Sequence, residues 1–305
     1  MKIEKVTIIG LGALGILYGN HLLNNLPKNN LRILADEARV NKYKNNGVYC
    51  NGKKCDFKYI TPDLKDDPAD LMIFSVKYGS LRSAIKSAKN QIGPDTIILS
   101  TLNGIVSEEE IGEVYGMDRI VYCVAQGMDA LKEGNELTYH NMGNLCIGEL
   151  NGENPSEKVK NVVDFFEKTN LPYILDNNMK NRLWGKFMLN VGVNQTVALY
   201  EGNYDTIQTP GKERNTMIAA MREVMELSKY EDVEITEKDL DYWLNILDTL
   251  NPEGKPSMRQ DTEAKRPSEV DLFAGTVVNL GKKHNIPTPV NQMLYDEIKE
   301  MEKSF

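Results

Sequence analysis

The feature that most constrains this chain lies at its start, where "KVTII" (5–9) runs straight into Gly10, Gly12 and Gly15 of "GLGALG" (10–15). The residues that follow, to about 26, carry helical spacing. Glycines in this pattern suit a strand that turns at once into a helix. The first permits the tight turn, the second lets backbone approach a ligand, and the third lets helix and strand pack closely. A helix begun in this way offers unpaired N–H groups at its N-terminus, a natural seat for phosphate oxygens. The spacing alone is a weak signal and gains weight only from what surrounds it.

The surroundings supply an alternating pattern. "LRILA" (31–35), "DLMIFSV" (70–76), "TIILS" (96–100) and "RIVYCV" (119–124) read as further strands. Several are too continuously apolar for a sheet with one wet face, so a parallel sheet covered on both faces is expected. Helices are expected at 13–26, 79–91 and 107–115, the last with a Ser107/Glu110 capping box. "VYCNGKKCDFKY" (48–59) reads as a hairpin around Asn51-Gly52 added to this core. Strand-like sequence at 136–150, a helix near 155–169 and a strand at 172–176 complete the first half. After residue 176 helical patterns dominate, at 178–199, 210–230, 237–250, 257–264, 268–284 and 288–303. Thr236 with Asp239 caps the third of these, and Pro267-Ser268 marks the start of the fifth. The expected fold class is therefore α/β: an N-terminal Rossmann-type doubly wound sheet over 1–176, which binds a dinucleotide, and an all-helical C-terminal domain over 177–305.

At 305 residues the chain is long enough for two such domains. A net charge of −8 with no dense Lys/Arg block argues against a nucleic-acid partner. Four cysteines form no Cys-x-x-Cys pair and three histidines are scattered, so no metal site is expected. Buried free thiols in a reduced, cytoplasmic setting are the expectation. "VTIIGLGALGILYG" (6–19) lacks a signal-peptide cleavage site, and no apolar run reaches membrane-spanning length, so no membrane partner is expected.

Candidate ligand contacts collect at the carboxyl ends of the expected strands, where open α/β sheets bind ligands. Asp36 stands where a residue reads the adenosine ribose. An acid there would bond a free 2′-hydroxyl and repel a 2′-phosphate, favouring NAD. Arg39, three residues on, could instead grip that phosphate. Lys77 in "FSVKYG" and Asn103 in "STLNGI" follow the next two strands.

In the second half, "LWGKFMLNVGVNQ" (183–195) sets Lys186, Asn190 and Asn194 four apart among apolar residues. That interval makes one polar stripe along a helix. An enzyme that reduces a carbonyl with a nicotinamide needs a proton for the oxygen. No histidine has a promising context, whereas Lys186 is a lone ammonium on a helix expected to face the interdomain cleft. The asparagines suit a neutral hydroxyl or carbonyl.

At these residues the chain resembles the ketopantoate reductase family nearly end to end. The resemblance rests on the Gly-x-Gly-Ala-x-Gly opening, "SVK", "LNG", "W-x-K-x-x-x-N-x-x-x-N" (184–194) and "SMRQDTEAKRPSEVD" (257–271). It implies NADPH-dependent reduction of 2-dehydropantoate to pantoate, in pantothenate synthesis. It further implies that Lys186 donates the proton, that Asn190, Asn194, Ser257 and Asn103 meet substrate, and that Lys77, Asn103 and Glu269 meet the cofactor. Ala13 and Leu14 join Gly10, Gly12 and Gly15 in the glycine loop that holds it. On motif alone Ser257 could be a helix cap and Glu269 a first-turn acid. Two positions depart from the pattern: the family often has Arg where Asp36 stands, and Asn203 lies one residue out of register with a further family asparagine.

Two other functions compete with this one. Asp36 favours an NADH-dependent D-2-hydroxyacid dehydrogenase acting on branched or aromatic 2-oxo acids. A nicotinamide-binding regulator without turnover is the alternative from another class, against which the intact Lys186 and asparagines speak. The partner expected in either enzyme is a small 2-oxo acid, and assembly as a homodimer is compatible with both.

Overall fold

A computed structural model describes residues 2–65, 67–152 and 154–305. The chain divides into two compact units, Met1–Leu102 with Val106–Met179, and Asn103–Ile105 with Lys180–Phe305. The second unit thus takes three residues from within the first half of the sequence.

In chain order the first unit contains β1 (Val6–Ile9), α1 (Ala13–Asn25), β2 (Leu31–Leu34), α2 (Glu37–Asn46), β3 (Tyr49–Cys50), β4 (Lys53–Lys54) and β5 (Lys58–Ile60). These are followed by β6 (Ala69–Phe74), α3 (Leu81–Ala88), β7 (Ile92–Ser100), α4 (Ser107–Tyr115), β8 (Tyr122–Gln126) and β9 (Leu131–Glu133). The unit ends with β10 (Glu136–Thr138), β11 (Asn144–Gly148), α5 (Glu157–Thr169) and β12 (Tyr173–Asp176). The central sheet has the order β5-β2-β1-β6-β7 and is parallel throughout. Both of its faces are covered: Val6 and Ile8 enter a core with α1 and α5, while Ile9 enters another with α3 and α4. This is why β1 is buried at every position rather than at alternate ones. The order reverses between β1 and β6, which makes that edge the topological switch point.

Three sequence expectations change. "RIVYCV" does not supply the fifth core strand. Its β8 pairs antiparallel with β11 in a separate sheet ordered β12-β11-β8, and only Ile120 bridges to Ile98 of the core. The fifth strand comes instead from Lys58–Ile60, beyond the hairpin, and the hairpin β3-β4 joins β10 and β9. Ser107 is not a cap: α4 begins at Ser107 with Val106 as N-cap, and Glu110 accepts from Tyr78 Oη at 2.8 Å.

The second unit continues with α6 (Met179–Leu199), of which Met179 belongs to the first unit, then α7 (Tyr204–Gln208), α8 (Lys212–Ser228) and α9 (Glu237–Asp248). It closes with α10 (Ser257–Glu263), α11 (Ala274–His284) and α12 (Pro289–Glu302). Thr236 and Asp239 form the expected capping box on α9. The fifth expected helix starts six residues late, at Ala274 rather than Ser268. Ser268 turns its hydroxyl to Glu302 Oε1 on α12 at 2.5 Å, so it pins a turn instead of opening a helix. Gly185 and Gly192 let α6 pack closely: a Cβ on Gly185 would meet Trp243 Nε1 at 2.9 Å, and one on Gly192 would meet Met221 Cγ at 2.5 Å.

All four cysteines are free and buried. Among the described residues no helix is long and apolar enough to cross a membrane, and no group of His, Cys, Asp and Glu is arranged to hold a metal ion.

Candidate active site

In the first unit the glycine loop crosses from β1 to α1 beside the end of β6. Gly10 has φ +100°, and a Cβ there would come within 2.5 Å of the Ser75 carbonyl oxygen. A Cβ on Gly15 would meet the Gly10 carbonyl oxygen at 2.0 Å. Both glycines are therefore required by the fold itself. Gly12 differs: it is the N-cap of α1, and a Cβ there would find only the Ser75 oxygen, at 3.7 Å. Its missing side chain leaves open space directly above the N-terminus of α1, flanked by Ala13 and Leu14. That cradle suits a pyrophosphate.

Asp36 lies two residues past β2 and caps α2, its Oδ1 accepting from Arg39 N at 2.7 Å. Its Oδ2 accepts from Arg39 Nη1 at 2.8 Å, and both side chains are about half exposed. The acid and the base that the sequence places at the ribose end are thus bonded to each other. Lys77 lies exposed just past β6 and caps a short turn, its carbonyl accepting from Ser80 N at 2.9 Å.

The loop after β7 is tied at both ends. Thr101 N and Oγ1 donate to the Phe74 carbonyl, and Thr101 Oγ1 lies 2.7 Å from Ser75 Oγ. Ser100 Oγ lies 2.8 Å from Ser107 Oγ, which donates to Glu108 Oε2 at 2.8 Å. Burial pushes the Glu108 carboxyl up to about 7 from its ordinary 4.5. A carboxyl raised by folding stabilises the protein while it is protonated. That contribution is complete below about pH 4.5 and is lost as pH rises through about 7. Replacing Glu108 with Gln is expected to flatten the fall of melting temperature across that window. An unchanged pH–stability curve for Glu108→Gln would refute the assignment.

In the second unit, α6 carries the polar stripe. Lys186 is half-buried and its Nζ donates to Asn103 Oδ1 at 3.1 Å. Asn190 and Asn194 are 8% and 6% exposed, so their amide groups must be satisfied within the protein or by a ligand. Asn194 is fixed by α10: the Met258 backbone N–H and Ser257 Oγ both donate to its Oδ1, each at 3.3 Å. A backbone N–H can only donate, so the orientation of this amide is set. Its Nδ2 then donates to Asn190 Oδ1 at 3.2 Å, which turns Asn190 Nδ2 away from Asn194. That Nδ2 is buried and has no hydrogen-bond partner among the described residues.

Ser257 is exposed and is the first residue of α10, with Pro256 as N-cap; its hydroxyl goes to Asn194 rather than to a cap. Glu269 is half-buried in the turn before α11, so it is not the first-turn acid its motif suggested. Its carbonyl accepts from Leu272 N and Phe273 N, at 3.0 and 3.1 Å. Asn203, outside the expected site, caps α7 with Thr206.

Two residues of the quoted motifs were passed over by the sequence reading. Gln195 is fully buried and binds Ala274 N at 2.8 Å and Asn291 Oδ1 at 3.2 Å, fixing α6 against α11 and α12. Arg259 is buried two residues after Ser257, 3.7 Å from Glu201, and its Nε lacks a partner among the described residues. The signal for Gln195 was a polar residue within a largely apolar helix; Arg259 lies among polar residues, and nothing in its spacing marks it. The histidines are engaged elsewhere, His21 with the Thr169 carbonyl and His284 with Glu231.

Comparison with known proteins covers nearly the whole chain. Residues 6–152 match the family described as Ketopantoate reductase PanE/ApbA, and residues 178–302 match Ketopantoate reductase PanE/ApbA C terminal. A 2-dehydropantoate 2-reductase of Aquifex aeolicus is 25% identical, over 98% of this chain and 97% of its own. Among solved structures, D-mandelate dehydrogenase with NADH and anilino(oxo)acetate superposes with a TM-score of 0.88 at 21% identity. It covers 98% of this chain and 99% of its own. A dimeric ketopantoate reductase from Staphylococcus aureus superposes at 0.82 with 19% identity, over 98% of this chain and 99% of its own. These two likenesses concern the fold.

Proposed function

The chain belongs to the ketopantoate reductase family, and from that premise we propose that it reduces the 2-oxo group of 2-dehydropantoate with NADPH, giving pantoate. The observation that carries this reading is the Asn190 amide. It is a buried N–H donor without a hydrogen-bond partner among the described residues, one helical turn from the Lys186 ammonium on the same face of α6. A buried donor left unmet costs about 1–3 kcal/mol, which an oxygen of a bound 2-oxo acid would recover.

Gly10, Gly12, Ala13, Leu14 and Gly15 hold the dinucleotide, with Lys77, Asn103 and Glu269 as further contacts and Asp36 and Arg39 at the ribose. When bound, the reduced nicotinamide supplies the hydride. Lys186 gives the proton to the carbonyl oxygen, and Asn103 Oδ1 keeps its ammonium aimed. Asn190 Nδ2 donates to the substrate oxygen, while Asn194 holds Asn190 in that orientation and closes the substrate seat with Ser257. To meet the substrate carboxylate, the Ser257 hydroxyl would turn its proton away from Asn194, which the Met258 N–H continues to hold.

The preference for NADPH rests on Arg39. With Asp36 engaged as the cap of α2, Arg39 is the cation at the ribose end that a 2′-phosphate requires. Arg39→Ala is expected to weaken NADPH by roughly tenfold relative to NADH, the scale of one ionic contact near a protein surface. Asp36→Ala is expected to cost about 1 kcal/mol of stability as a lost cap and to leave the cofactor ratio nearly unchanged. The measurement is kcat/KM for 2-dehydropantoate and for branched and aromatic 2-oxo acids, each with both cofactors.

A second reading has one observation in its favour: the Asp36 carboxylate stands in the turn just past β2, where it would accept from a free 2′-hydroxyl. It describes an NADH-dependent dehydrogenase of other 2-oxo acids. A wild-type preference for NADH that shifts toward NADPH in Asp36→Ala would establish it in place of the first.

A further inference from the structure

The loop that carries Asn103 begins and ends on buried serines. Ser100 is 1% exposed, Ser107 0% and Glu108 2%, and none of the three has a part in the reaction described above. Their hydrogen bonds have a single consistent direction. With Glu108 ionised, the one proton of Ser107 goes to Glu108 Oε2, so Ser100 donates to Ser107. Ser100 Oγ in turn accepts from Leu102 N at 3.3 Å. The chain therefore runs from the Leu102 N–H through Ser100 and Ser107 to Glu108. It starts at the residue next to Asn103 and ends on a carboxyl group enclosed in protein.

We infer that Ser100, Ser107 and Glu108 form a clamp that closes the 101–106 loop and so positions the Asn103 side chain as acceptor for Lys186. This rests on the role given above to Asn103. The physical argument is one of cumulative order. Ser100 and Ser107 are the two ends of the loop, so the bond between them fixes its span. The bond from Leu102 N fixes the backbone rotation immediately before Asn103. Gly104, at φ +93°, follows at once and allows the chain to turn back toward Ser107. Bonds in series toward an anionic or strongly accepting terminus strengthen one another, and here the terminus is the Glu108 carboxyl. Oε1 of Glu108 is buried without a hydrogen-bond partner among the described residues, and the bond from Ser107 reaches the other oxygen, Oε2. The three are positioning residues, acting on the reaction only through Asn103.

The test is a double-mutant cycle. Ser107→Ala is expected to lower kcat by roughly 10- to 100-fold, the scale of a misplaced catalytic partner, with KM for the cofactor unchanged. Adding Ser107→Ala to Asn103→Ala is expected to lower kcat no further, because the clamp has nothing left to position. Ser107→Thr, which keeps the hydroxyl, is expected to recover most of the loss. Glu108→Gln, nearly identical in shape, provides a second route if Ser107→Ala folds poorly, and its kcat is expected to fall in the same sense. In the cofactor-free protein, hydrogen exchange of the Leu102 amide is expected to quicken in Ser107→Ala. Wild-type kcat in Ser107→Ala and Glu108→Gln, or full additivity with Asn103→Ala, would overturn the clamp. Should Asn103→Ala itself leave kcat unchanged, the role of Asn103 falls, and the positioning role falls with it.

Discussion

Lys186→Ala is expected to lower kcat by roughly 100- to 10,000-fold, the usual loss when a general acid is removed. The ammonium sits on α6 with Asn103 Oδ1 3.1 Å away, and the other two residues of the stripe are amides, which cannot replace it as a proton source. Dinucleotide affinity is expected to stay within a factor of a few, since the glycine loop belongs to the other compact unit. Single-turnover kinetics with saturating cofactor separate the two quantities. Near-normal turnover in a folded Lys186→Ala protein would remove lysine from the mechanism. The same loss appearing wholly in cofactor affinity would move its role to binding.

The second large effect concerns the glycine loop and distinguishes its members. Gly15→Ala drives a methyl to 2.0 Å from the Gly10 carbonyl oxygen, which is backbone and has no rotamer to yield. Overpacking of this kind costs about 1–3 kcal/mol or more, and a drop in melting temperature of roughly 2–12 °C is expected. Gly12→Ala meets only an ordinary contact at 3.7 Å and has φ −72°, which any residue adopts. It is expected to melt like the wild type and yet to bind the nicotinamide dinucleotide at least about tenfold more weakly, because its methyl would enter the proposed path of the pyrophosphate. Thermal melts and fluorescence titration on the same two variants check both. Equal loss of stability in the two, or tight binding by Gly12→Ala, would show that the cradle has been placed wrongly.

The difference between these glycines explains what could be read in advance. Steric demands on a short stretch are local, so the turn from β1 into α1 is legible from eight residues. Apolar runs told equally well that the sheet is covered on both faces. Partner choice is not local, however. "RIVYCV" and "KYI" are both good strands, and nothing in their periodicity says that the second, not the first, completes the core sheet. Side chains with two possible partners misled for the same reason. Ser107 and Ser268 look like helix caps, but each finds a better acceptor, Glu108 beside one and Glu302 on α12 for the other.

The candidate site divides in the same way. The stripe of Lys186, Asn190 and Asn194 is visible from spacing alone. Its other contacts are not: Asn103 lies 83 residues from Lys186, and Ser257 lies 63 from Asn194. Spacing gives no hint of these encounters: Asn103 stood out by its place after a strand, and Ser257 only by the family resemblance. The orientation of each amide, with Asn190 Nδ2 left over, emerged only from the Met258 N–H.

The three-residue contribution of Asn103–Ile105 to the second unit bears on how this half could ever be transplanted. A cut that looks clean on the sequence, before α6, would release a helical fragment bearing Lys186 and both stripe asparagines but not Asn103, the oxygen that holds the ammonium. Grafted behind a foreign nucleotide-binding half, such a fragment would bring its acid without that acid's aim unless the new host supplied its own asparagine loop. The portable unit is therefore a discontinuous one, and exchange by recombination at a single junction would break it.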